Sequence, residues 1–419
     1  MMDFTLGKDS ISTEHISKLH ALQYLPLEIK ALEEGAECPI GVPCMTVTNT
    51  KDHAYWLVNY LETLLSCSLW QAMTSATIAR EYRNLLDKYS LETTGSLDFV
   101  QWQGHDFSMR GMSSLESACM SGAGHLIYFS GTDCIPSIEF LENYYGASVE
   151  HELVGASVPA TEHSVMCMGM KDDEVGTFDR LIDLYPSGIL SVVSDTWDLW
   201  KVCTEYLPTL KEKILARNGK LVIRPDSGNP VDIICGERFA IYDEDDEEDT
   251  RRQLAEPKNR GVIQLLWDVF GGVINDQGYK VLDPHIGTIY GDSITLGRAD
   301  EICQRLKAKG FASTNIVFGI GSYTYQYNTR DTFGFAMKAT YGAVDRIGRE
   351  IFKDPATDDG TKRSAKGLLR VNKGEDGKLY VKDQCTWEEE FGGELKTVFL
   401  NGVLTSETSI ADIRLRSGK

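Results

Sequence analysis

Apolar stretches that end abruptly in a polar loop recur along this chain, and they constrain its fold more than any other feature. The clearest is 221–230, which reads LVIRPDSGNP. Pro225 and Pro230 fix their own φ and supply no amide donor, so they end the strand and rigidify the loop. The same pattern recurs in four further segments: 125–133, 188–198, 286–295 and 314–321.

Near-continuous apolar strands separated by helical patterns are typical of parallel βα units that are covered on both faces. If every strand passes into a polar loop at the same end, those loops converge on one site. This predicts an α/β fold built on a (β/α) barrel, whose chemistry lies at the carboxyl ends of the strands. An open doubly wound sheet would also gather its loops at one edge, but the number of repeats favours the barrel.

The length of 419 residues indicates two or three domains, or a barrel with an accessory domain. We place an accessory domain with its helices at 1–104 and the barrel that carries the active site at 105–335. The C-terminal part of the barrel edge and of the accessory domain then occupies 336–419. Residues 10–34 predict a helix and then a strand, and 54–90 predict two successive helices.

The formal net charge of −20 argues against binding to nucleic acid or to an anionic membrane, since both require a basic surface. A local cluster of cations can still bind an anionic substrate. No apolar run approaches the roughly 20 residues that a membrane span requires, and the N-terminus lacks a secretory pattern. We therefore expect neither nucleic acid nor membrane as a partner.

The ten cysteines are scattered along the chain. Cys38 and Cys44 are the nearest two, and without a second close pair they are weak evidence for zinc. Many of the others have apolar neighbours in the sequence, which predicts reduced core thiols of a cytoplasmic protein; examples are Cys67, Cys119, Cys203 and Cys235.

The loop after Arg224 presents a guanidinium, the carboxylate of Asp226 and the hydroxyl of Ser227 at the end of a strand. Arginine pairs bidentately with phosphate oxygens, and a carboxylate accepts from ribose hydroxyls or binds a divalent metal. The loop therefore suits a phosphorylated sugar. The alternative is a tight turn in which Asp226 caps the next helix.

Two further groups of residues suit a site. In 157–164, SVPATEHS, Glu162 precedes His163, and a loop histidine beside an acid can serve as a nucleophile or proton carrier. Phe107 and Arg110 are three apart, so Phe107 could stack on a planar ring while Arg110 grips an anion. The alternatives are a structural histidine, and a core phenylalanine beside a surface arginine.

Basic residues in the C-terminal part are candidates for phosphate binding. Arg330 and Lys338 are eight residues apart, which suits two cations on one element. A polar segment, 356–366, adds three more: Lys362, Arg363 and Lys366. The acidic run at 243–249 is instead typical of a solvated loop without a catalytic role. Neither a complete glycine-rich dinucleotide fingerprint nor a Walker-type loop is present, which argues against a Rossmann cofactor.

Several motifs in one order resemble the family of nicotinamide phosphoribosyltransferases, which are type II phosphoribosyltransferases. They are LPLEIKALEEG, HDFSMRG, SVPATEHS, VVSDTWD, IRPDSGNP, YGDSIT, TRDTFGFAMK and IFKDP. The resemblance runs from about residue 20 to the C-terminus. It implies an irregular barrel with a smaller, partly β accessory domain, and a homodimer with active sites at the subunit interface. The implied reaction joins nicotinamide to phosphoribosyl pyrophosphate, giving nicotinamide mononucleotide and pyrophosphate in NAD salvage.

The resemblance also implies residue roles around the nicotinamide ring. Phe107 resembles the aromatic residue that stacks on the ring, and Arg110 and Arg224 resemble the pair that holds ring, ribose and phosphate. Asp133 resembles the acid that accepts a hydrogen bond from the substrate amide. A carboxylate there would repel nicotinate, so Asp133 argues for the amide as substrate.

Further implied roles concern the sugar, the phosphates and the metal. Asp198 and Asp226 resemble the acids that organise the ribose hydroxyls and a pyrophosphate-bound Mg²⁺. The residues that match the nucleotide ribose and 5′-phosphate positions are Asp292, Gly321 and Ser322. The cations that resemble those for pyrophosphate, arriving from the second subunit, are Arg330, Lys338 and Lys353.

Two alternatives stay open. Nicotinate phosphoribosyltransferase shares the fold, although Asp133 speaks against it. The other is a non-catalytic or split fragment, because the family has a longer N-terminal region than the one found here. On that reading a separate N-terminal polypeptide completes the enzyme, whereas His163, Asp198, Arg224 and Asp226 favour an enzyme.

The resemblance further implies that ATP phosphorylates His163 and so couples its hydrolysis to product formation. We therefore predict that removing Asp198 or Glu162 lowers the phosphoenzyme yield more than it weakens nicotinamide binding. The measurement is the incorporation of labelled γ-phosphate. An unchanged yield in both variants would contradict the prediction.

Overall fold

The computed structural model describes residues 2–8, 10–238, 247–353 and 365–418. The chain divides into two compact units: Met1–Gln71 with Thr329–Lys419, and Ala72–Asn328. These divisions lie at other positions than the boundaries predicted at 104/105 and 335/336. The difference arises mainly because most of one long helix, Leu57–Thr94, belongs to the larger unit.

The elements are numbered in chain order. The strands are β1 Leu27–Ala31, β2 Met45–Asn49, β3 Gly104–Asp106, β4 Gly131–Thr132, β5 Ser187–Val193, β6 Asn218–Arg224, β7 Gly272–Ile274, β8 Lys280–Leu282, β9 Ile286–Tyr290, β10 Ile316–Ile320, β11 Tyr341–Val344, β12 Ile347–Glu350, β13 Leu368–Lys373, β14 Leu379–Cys385, β15 Lys396–Leu400 and β16 Val403–Leu404.

The α-helices are α1 Met2–Leu6, α2 Glu14–Leu22, α3 Leu57–Thr94, α4 Val100–Gln103, α5 Leu115–His125, α6 Pro136–Tyr145, α7 His163–Met168, α8 Glu174–Leu184, α9 Leu199–Lys201, α10 Leu207–Leu215, α11 Pro230–Cys235, α12 Glu247–Ala255, α13 Pro257–Arg260, α14 Val262–Phe270, α15 Leu296–Ala308, α16 Ser322–Tyr325, α17 Trp387–Glu390 and α18 Ile410–Arg416. A π-helical turn, Val202–Tyr206, joins α9 to α10.

A six-stranded parallel sheet forms the centre of the larger unit, in the order β4-β3-β10-β9-β6-β5. Its two edge strands are also joined through the segment 156–161. Gly131 of β4 forms a parallel bridge with Ala156, and Ser191 of β5 forms one with Ala160. The curled sheet and its joined edges confirm the predicted irregular α/β barrel.

The core of the larger unit lies around these strands. Every residue of β9 is buried, as are four of the five in β10. The strands are buried on both faces because helices cover the sheet, as expected for parallel pairing. The barrel strands predicted within 188–198, 221–230, 286–295 and 314–321 are thereby confirmed.

The strand predicted within 125–133 is mostly wrong. Helix α5 continues to His125, and the Phe129 amide still donates to the His125 carbonyl at 3.1 Å, so only Gly131–Thr132 are extended. Leu126 and Phe129 are buried as a strand would predict, but they lie in and just after the turn that follows α5. The two helices predicted at 54–90 are likewise one continuous helix, α3.

The smaller unit is built from antiparallel strands. One sheet has the order β16-β15-β1-β2, and two hairpins pair β11 with β12 and β13 with β14. Leu27, Ala54 and Leu57 form one small core, and Leu32, Val371 and Leu395 form another. The predicted accessory domain of partly β structure is confirmed.

Within the described residues, no helix is long and apolar enough to cross a membrane. The ten cysteines are free, and Cys203, Cys235 and Cys303 lie buried in the core of the larger unit. Cys67 is exposed, although its apolar neighbours in the sequence predicted a core position.

His125 connects α5 to the strand that follows it. Its Nε2 lies 3.0 Å from the carbonyl oxygen of Gly131, which can only accept, so Nε2 carries the proton. Nδ1 then accepts from the Tyr325 hydroxyl at 2.7 Å. Both side chains are fully buried, and burial lowers the pKa of His125 to about 4.

We predict that acidification removes the stability that neutral His125 contributes. The pKa of histidine in an unfolded chain is about 6.5, against about 4 for His125 in the fold. The unfolded state therefore binds the proton first, and stability falls as the pH drops through this window. The stability difference between the natural protein and His125→Asn should shrink by up to about 1.4 kcal/mol per pH unit.

Urea unfolding of both proteins at about pH 7.5 and about pH 5 measures this difference. A difference that is the same at both values would contradict the prediction.

Candidate functional site

The carboxyl ends of the parallel strands gather most of the predicted site residues. At the ends of β3, β4, the segment 156–161, β6, β9 and β10 lie, in chain order, Phe107, Asp133, Glu162 with His163, Arg224 with Asp226, Asp292, and Gly321 with Ser322. Asp195, which had no predicted role, lies after β5 at the same end. Because parallel strands all point the same way, these side chains lie at one end of the sheet.

Asp195 holds the loop after β6 in place. Its Oδ2 accepts from the Asp226 amide at 2.8 Å and from the Ser227 hydroxyl at 2.6 Å. Its Oδ1 is buried and has no hydrogen-bond partner in the described part of the chain. Asp195 had no predicted role, although it comes two residues after the end of β5, which is the signal that could have identified it.

Asp198 has a different environment. It is the N-cap of α9, where its Oδ1 accepts from the amides of Trp200 and Lys201, both at 3.1 Å. Such a cap satisfies amides that a helix leaves unpaired at its start. The predicted catalytic and metal-binding role of Asp198 stays a prediction, while the contacts with the Asp226 loop belong to Asp195.

Asp226 lies among charged groups. Its Oδ2 is 3.6 Å from Nε2 of His163, whose Nδ1 is 3.1 Å from the Thr196 hydroxyl. Burial raises the pKa of Asp226, and the carboxylates of Asp195 and Asp292 raise it further against the opposing charges of Arg224 and His163. Carboxylates that repel one another in this way favour binding of a cation.

Two glycines make room for site residues. A Cβ on Gly291 would lie 2.6 Å from Oδ1 of Asp226, and one on Gly319 would lie 2.5 Å from the ring of Phe107. Both distances are shorter than any normal contact. A side chain at either position would therefore displace Asp226 or Phe107 from the place it has here.

Two arginines and an acid lie on the same side of the site. Arg224 is buried and its guanidinium donates to the carbonyl of Thr161. Oε1 of Glu162 is 3.1 Å from Arg110 and 4.0 Å from Arg224, and the Arg224 guanidinium lies 6.0 Å from the centre of the Phe107 ring. The predicted pair of arginines is thus brought together by Glu162 beside the predicted stacking residue.

Asp133 is held by two donors. His105 Nε2 lies 2.8 Å from its Oδ1, and the Ser157 hydroxyl lies 2.6 Å from the same atom. Burial disfavours the charged form of Asp133, but the hydrogen bond and charge of His105, the Ser157 bond and the charge of Arg224 outweigh it and lower the pKa. Asp133 is therefore a carboxylate at neutral pH.

The strand ends also position Gly321 and Ser322, which begin the short helix α16. Gln326, just beyond that helix, accepts from the amide of Ser113 at 2.8 Å. This contact joins the loop after β10 to the loop that carries Phe107 and Arg110.

Three predicted cations belong to the smaller unit. They are Arg330, Lys338 and Lys353, and all three are exposed. Lys366 pairs with Glu350 at 3.5 Å, while Lys362 and Arg363 lie outside the described residues. Of the acidic run, 243–246 also lie outside them, and the remainder begins α12.

Comparison with known proteins places this site in context. Residues 102–403 match the model of the nicotinate phosphoribosyltransferase (NAPRTase) family. The chain is 54% identical over 422 residues to a nicotinamide phosphoribosyltransferase of Acinetobacter baylyi, covering 99% of this chain and 80% of that one. It is 40% identical over 347 residues to that of Mycoplasma pneumoniae, covering 82% of this chain and 71% of that one.

A solved structure supports the fold. The chain is similar to the crystal structure of nicotinate-nucleotide pyrophosphorylase from Pyrococcus furiosus, with a TM-score of 0.54 and 16% identity. The superposition covers 96% of this chain and 82% of that one. At this identity the similarity concerns the fold alone.

We predict that Asp195 and Asp198 have separable roles. Asp195→Ala removes the acceptor of the Asp226 amide, so amide hydrogen exchange across 225–229 should become about tenfold faster or more. Asp198→Ser retains a capping oxygen and should leave that exchange unchanged. Exchange that is equally slow in Asp195→Ala and the natural protein would contradict the role given to Asp195.

Proposed function

Because this chain belongs to the nicotinate phosphoribosyltransferase family, we propose that it transfers a phosphoribosyl group from phosphoribosyl pyrophosphate to nicotinamide. The products are nicotinamide mononucleotide and pyrophosphate. The observation that carries the choice of nicotinamide is the ionised carboxylate of Asp133, held beside the strand end that bears Phe107.

The charge of Asp133 distinguishes an amide from an acid. A carboxylate can only accept hydrogen bonds, and the amide nitrogen of nicotinamide offers two donors. The carboxylate of nicotinate offers none and would repel Asp133. His105 lies between the two elements of the subsite, since it binds Asp133 and its ring centre is 4.8 Å from that of Phe107.

The arginines suit the anionic part of the substrate. Arg224 and Arg110 are both within 4.0 Å of Glu162, so their guanidinium groups share one region of the site. A phosphate that enters this region would compete with Glu162 for the two cations.

Phe107 stacks on the pyridine ring and directs its nitrogen toward C1 of the ribose. That nitrogen carries a free lone pair, so the attack needs no general base.

The acids at the ends of β5, β6 and β9 suit the ribose. The bond from the pyridine nitrogen to C1 forms while the bond to pyrophosphate breaks, and positive charge develops on the sugar. The carboxylates of Asp195, Asp226 and Asp292 interact with one another across this region and favour that charge. Substrate held between fixed groups also loses little further freedom on the way to the transition state.

A magnesium ion fits this site when it arrives with the substrate. Among the described residues no three His, Cys, Asp or Glu side chains are arranged to hold a metal alone. Mg²⁺ is usually held by one or two carboxylates together with substrate phosphates, so Asp226 and its neighbour Asp195 suit it, and Asp198 remains a further candidate ligand. When bound, the ion would offset the charge of the leaving pyrophosphate.

His163 is the proposed site of phosphorylation by ATP. Its Nε2 faces Oδ2 of Asp226 at 3.6 Å and its Nδ1 lies 3.1 Å from the Thr196 hydroxyl. A doubly protonated ring can pass its Nε2 proton to Asp226, whose raised pKa suits an acceptor, and keep its Nδ1 proton. The nitrogen would then attack the γ-phosphorus while the bond to the ADP oxygen breaks.

Three exposed cations suit pyrophosphate and would be supplied by a second copy of the chain in a homodimer. They are Arg330, Lys338 and Lys353.

A second candidate is the reaction with nicotinate, which the family description names. It would use the same ribose and phosphate groups. The lowered pKa of Asp133 opposes it, because a protonated acid would be needed to donate to the carboxylate of nicotinate.

We predict that the purified chain, given phosphoribosyl pyrophosphate, Mg²⁺ and ATP, forms mononucleotide from nicotinamide and not from nicotinate. Asp133→Asn, which can also donate, should lower the preference for nicotinamide by about tenfold or more. Initial rates with each base measure the preference. Equal rates with both bases in the natural protein would contradict the assignment of substrate.

A further inference from the structure

The two carboxylate oxygens of Asp133 are unequally engaged. Oδ1 accepts two hydrogen bonds, from His105 Nε2 at 2.8 Å and from the Ser157 hydroxyl at 2.6 Å. Oδ2 accepts none from the described residues. The side chain is 43% exposed, so a ligand can reach this second oxygen.

The two residues that donate to Asp133, His105 and Ser157, lie in the two segments that pair with β4, one on each side. His105 lies in β3, paired with Gly131 on one side and with Gly319 on the other, and is 9% exposed. Ser157 follows Ala156, whose amide donates to the Ser130 carbonyl at 2.8 Å and which bridges Gly131. His105 therefore approaches Asp133 from β3, and Ser157 approaches it from the segment 156–161, which is bridged to β4 at Ala156.

Two donors on one oxygen determine how the carboxylate is turned. The last torsion of aspartate is broad and roughly two-fold, so an unsupported carboxylate samples many orientations. Hydrogen bonds from two fixed directions to Oδ1 remove that freedom and direct Oδ2 away from both donors. Pre-oriented groups bind a ligand more tightly because they lose little conformational freedom on binding.

We infer that His105 and Ser157 are positioning residues that aim Oδ2 of Asp133 at the amide of nicotinamide and so help to determine the preference for the amide. The inference rests on the proposed function, since it concerns the same base. Neither residue needs to touch the reacting atoms. Their effect is on binding of the base and on discrimination between amide and acid, and hardly on the chemical step.

The alternative is that these two bonds only stabilise the barrel end. In that case their loss would lower thermal stability and leave the affinity for the base unchanged. The steady-state constants for nicotinamide separate the two possibilities, because a positioning residue changes KM and leaves kcat nearly constant.

The first test uses Ser157→Ala with Ser157→Thr as the conservative variant. Hydrogen bonds to charged groups are the stronger ones, so KM for nicotinamide should rise about tenfold in Ser157→Ala, with kcat within about twofold. Ser157→Thr keeps the hydroxyl and should stay near the natural value. Ser148→Ala is the matched control, because that half-buried serine pairs with a histidine, His151, at 2.8 Å but not with Asp133.

Histidine variants provide the second test, so that the inference does not depend on one substitution. His105→Gln retains a side-chain N–H donor and should keep more of the preference for nicotinamide over nicotinate than His105→Leu. The thermal midpoint of each variant is recorded to establish that it folds.

The decisive comparison is the double variant. If Ser157 acts through Asp133, then Ser157→Ala should change KM less than about twofold when Asp133 is already Ala, which has no oxygen to accept from the Ser157 hydroxyl. A full effect in that background, or no effect in the natural one, would overturn the inference while the proposed function stands. A natural protein that forms no mononucleotide from nicotinamide would overturn both.

Discussion

Parallel hydrogen bonding of the six central strands is the constraint on which the rest of the site depends. It points all their carboxyl ends the same way, and the segment 156–161 joins the two edges through Ala156 and Ala160. Residues far apart in the chain, such as Asp133 and Asp226, are therefore presented at one end of the sheet. The segment 156–161, which joins the edges, also contains Ser157 and is followed by Glu162. The same segment therefore closes the sheet and contributes residues to the site.

Several carboxylates lie close together in the site, and donors from the backbone, from hydroxyl groups and from an imidazole ring fix their orientation. Asp195 is held by the Asp226 amide and the Ser227 hydroxyl, and Asp133 is held by His105 and Ser157. In each acid both donors bind the same carboxylate oxygen, and neither of them binds the second oxygen. Such acids remain oriented before a substrate arrives, which is the condition under which fixed charges help a reaction most.

The sequence was informative where strands are long and apolar. β5 and β6, seven residues each, were predictable from their β-branched residues and the polar loops that follow. β3 and β4 were not, because three and two residues are too few for a periodic pattern. Asp195 and Asp198 both come after β5, but only Asp198 was assigned a role, through the family resemblance, and the structure distinguishes them by the cap at α9 and the contacts of Asp195 with the loop after β6. His105 and Ser157 gave no sequence signal, since their role depends on register across β4.

The central claim is that these strand ends bind the nicotinamide mononucleotide formed by the reaction. The most direct measurement is a crystal structure of the chain with this nucleotide and pyrophosphate. We expect the pyridine ring to stack on Phe107 and its amide nitrogen to lie within about 3 Å of Oδ2 of Asp133, a normal hydrogen-bond distance. A nucleotide bound away from the carboxyl ends of the strands, or an amide turned away from Asp133, would contradict it.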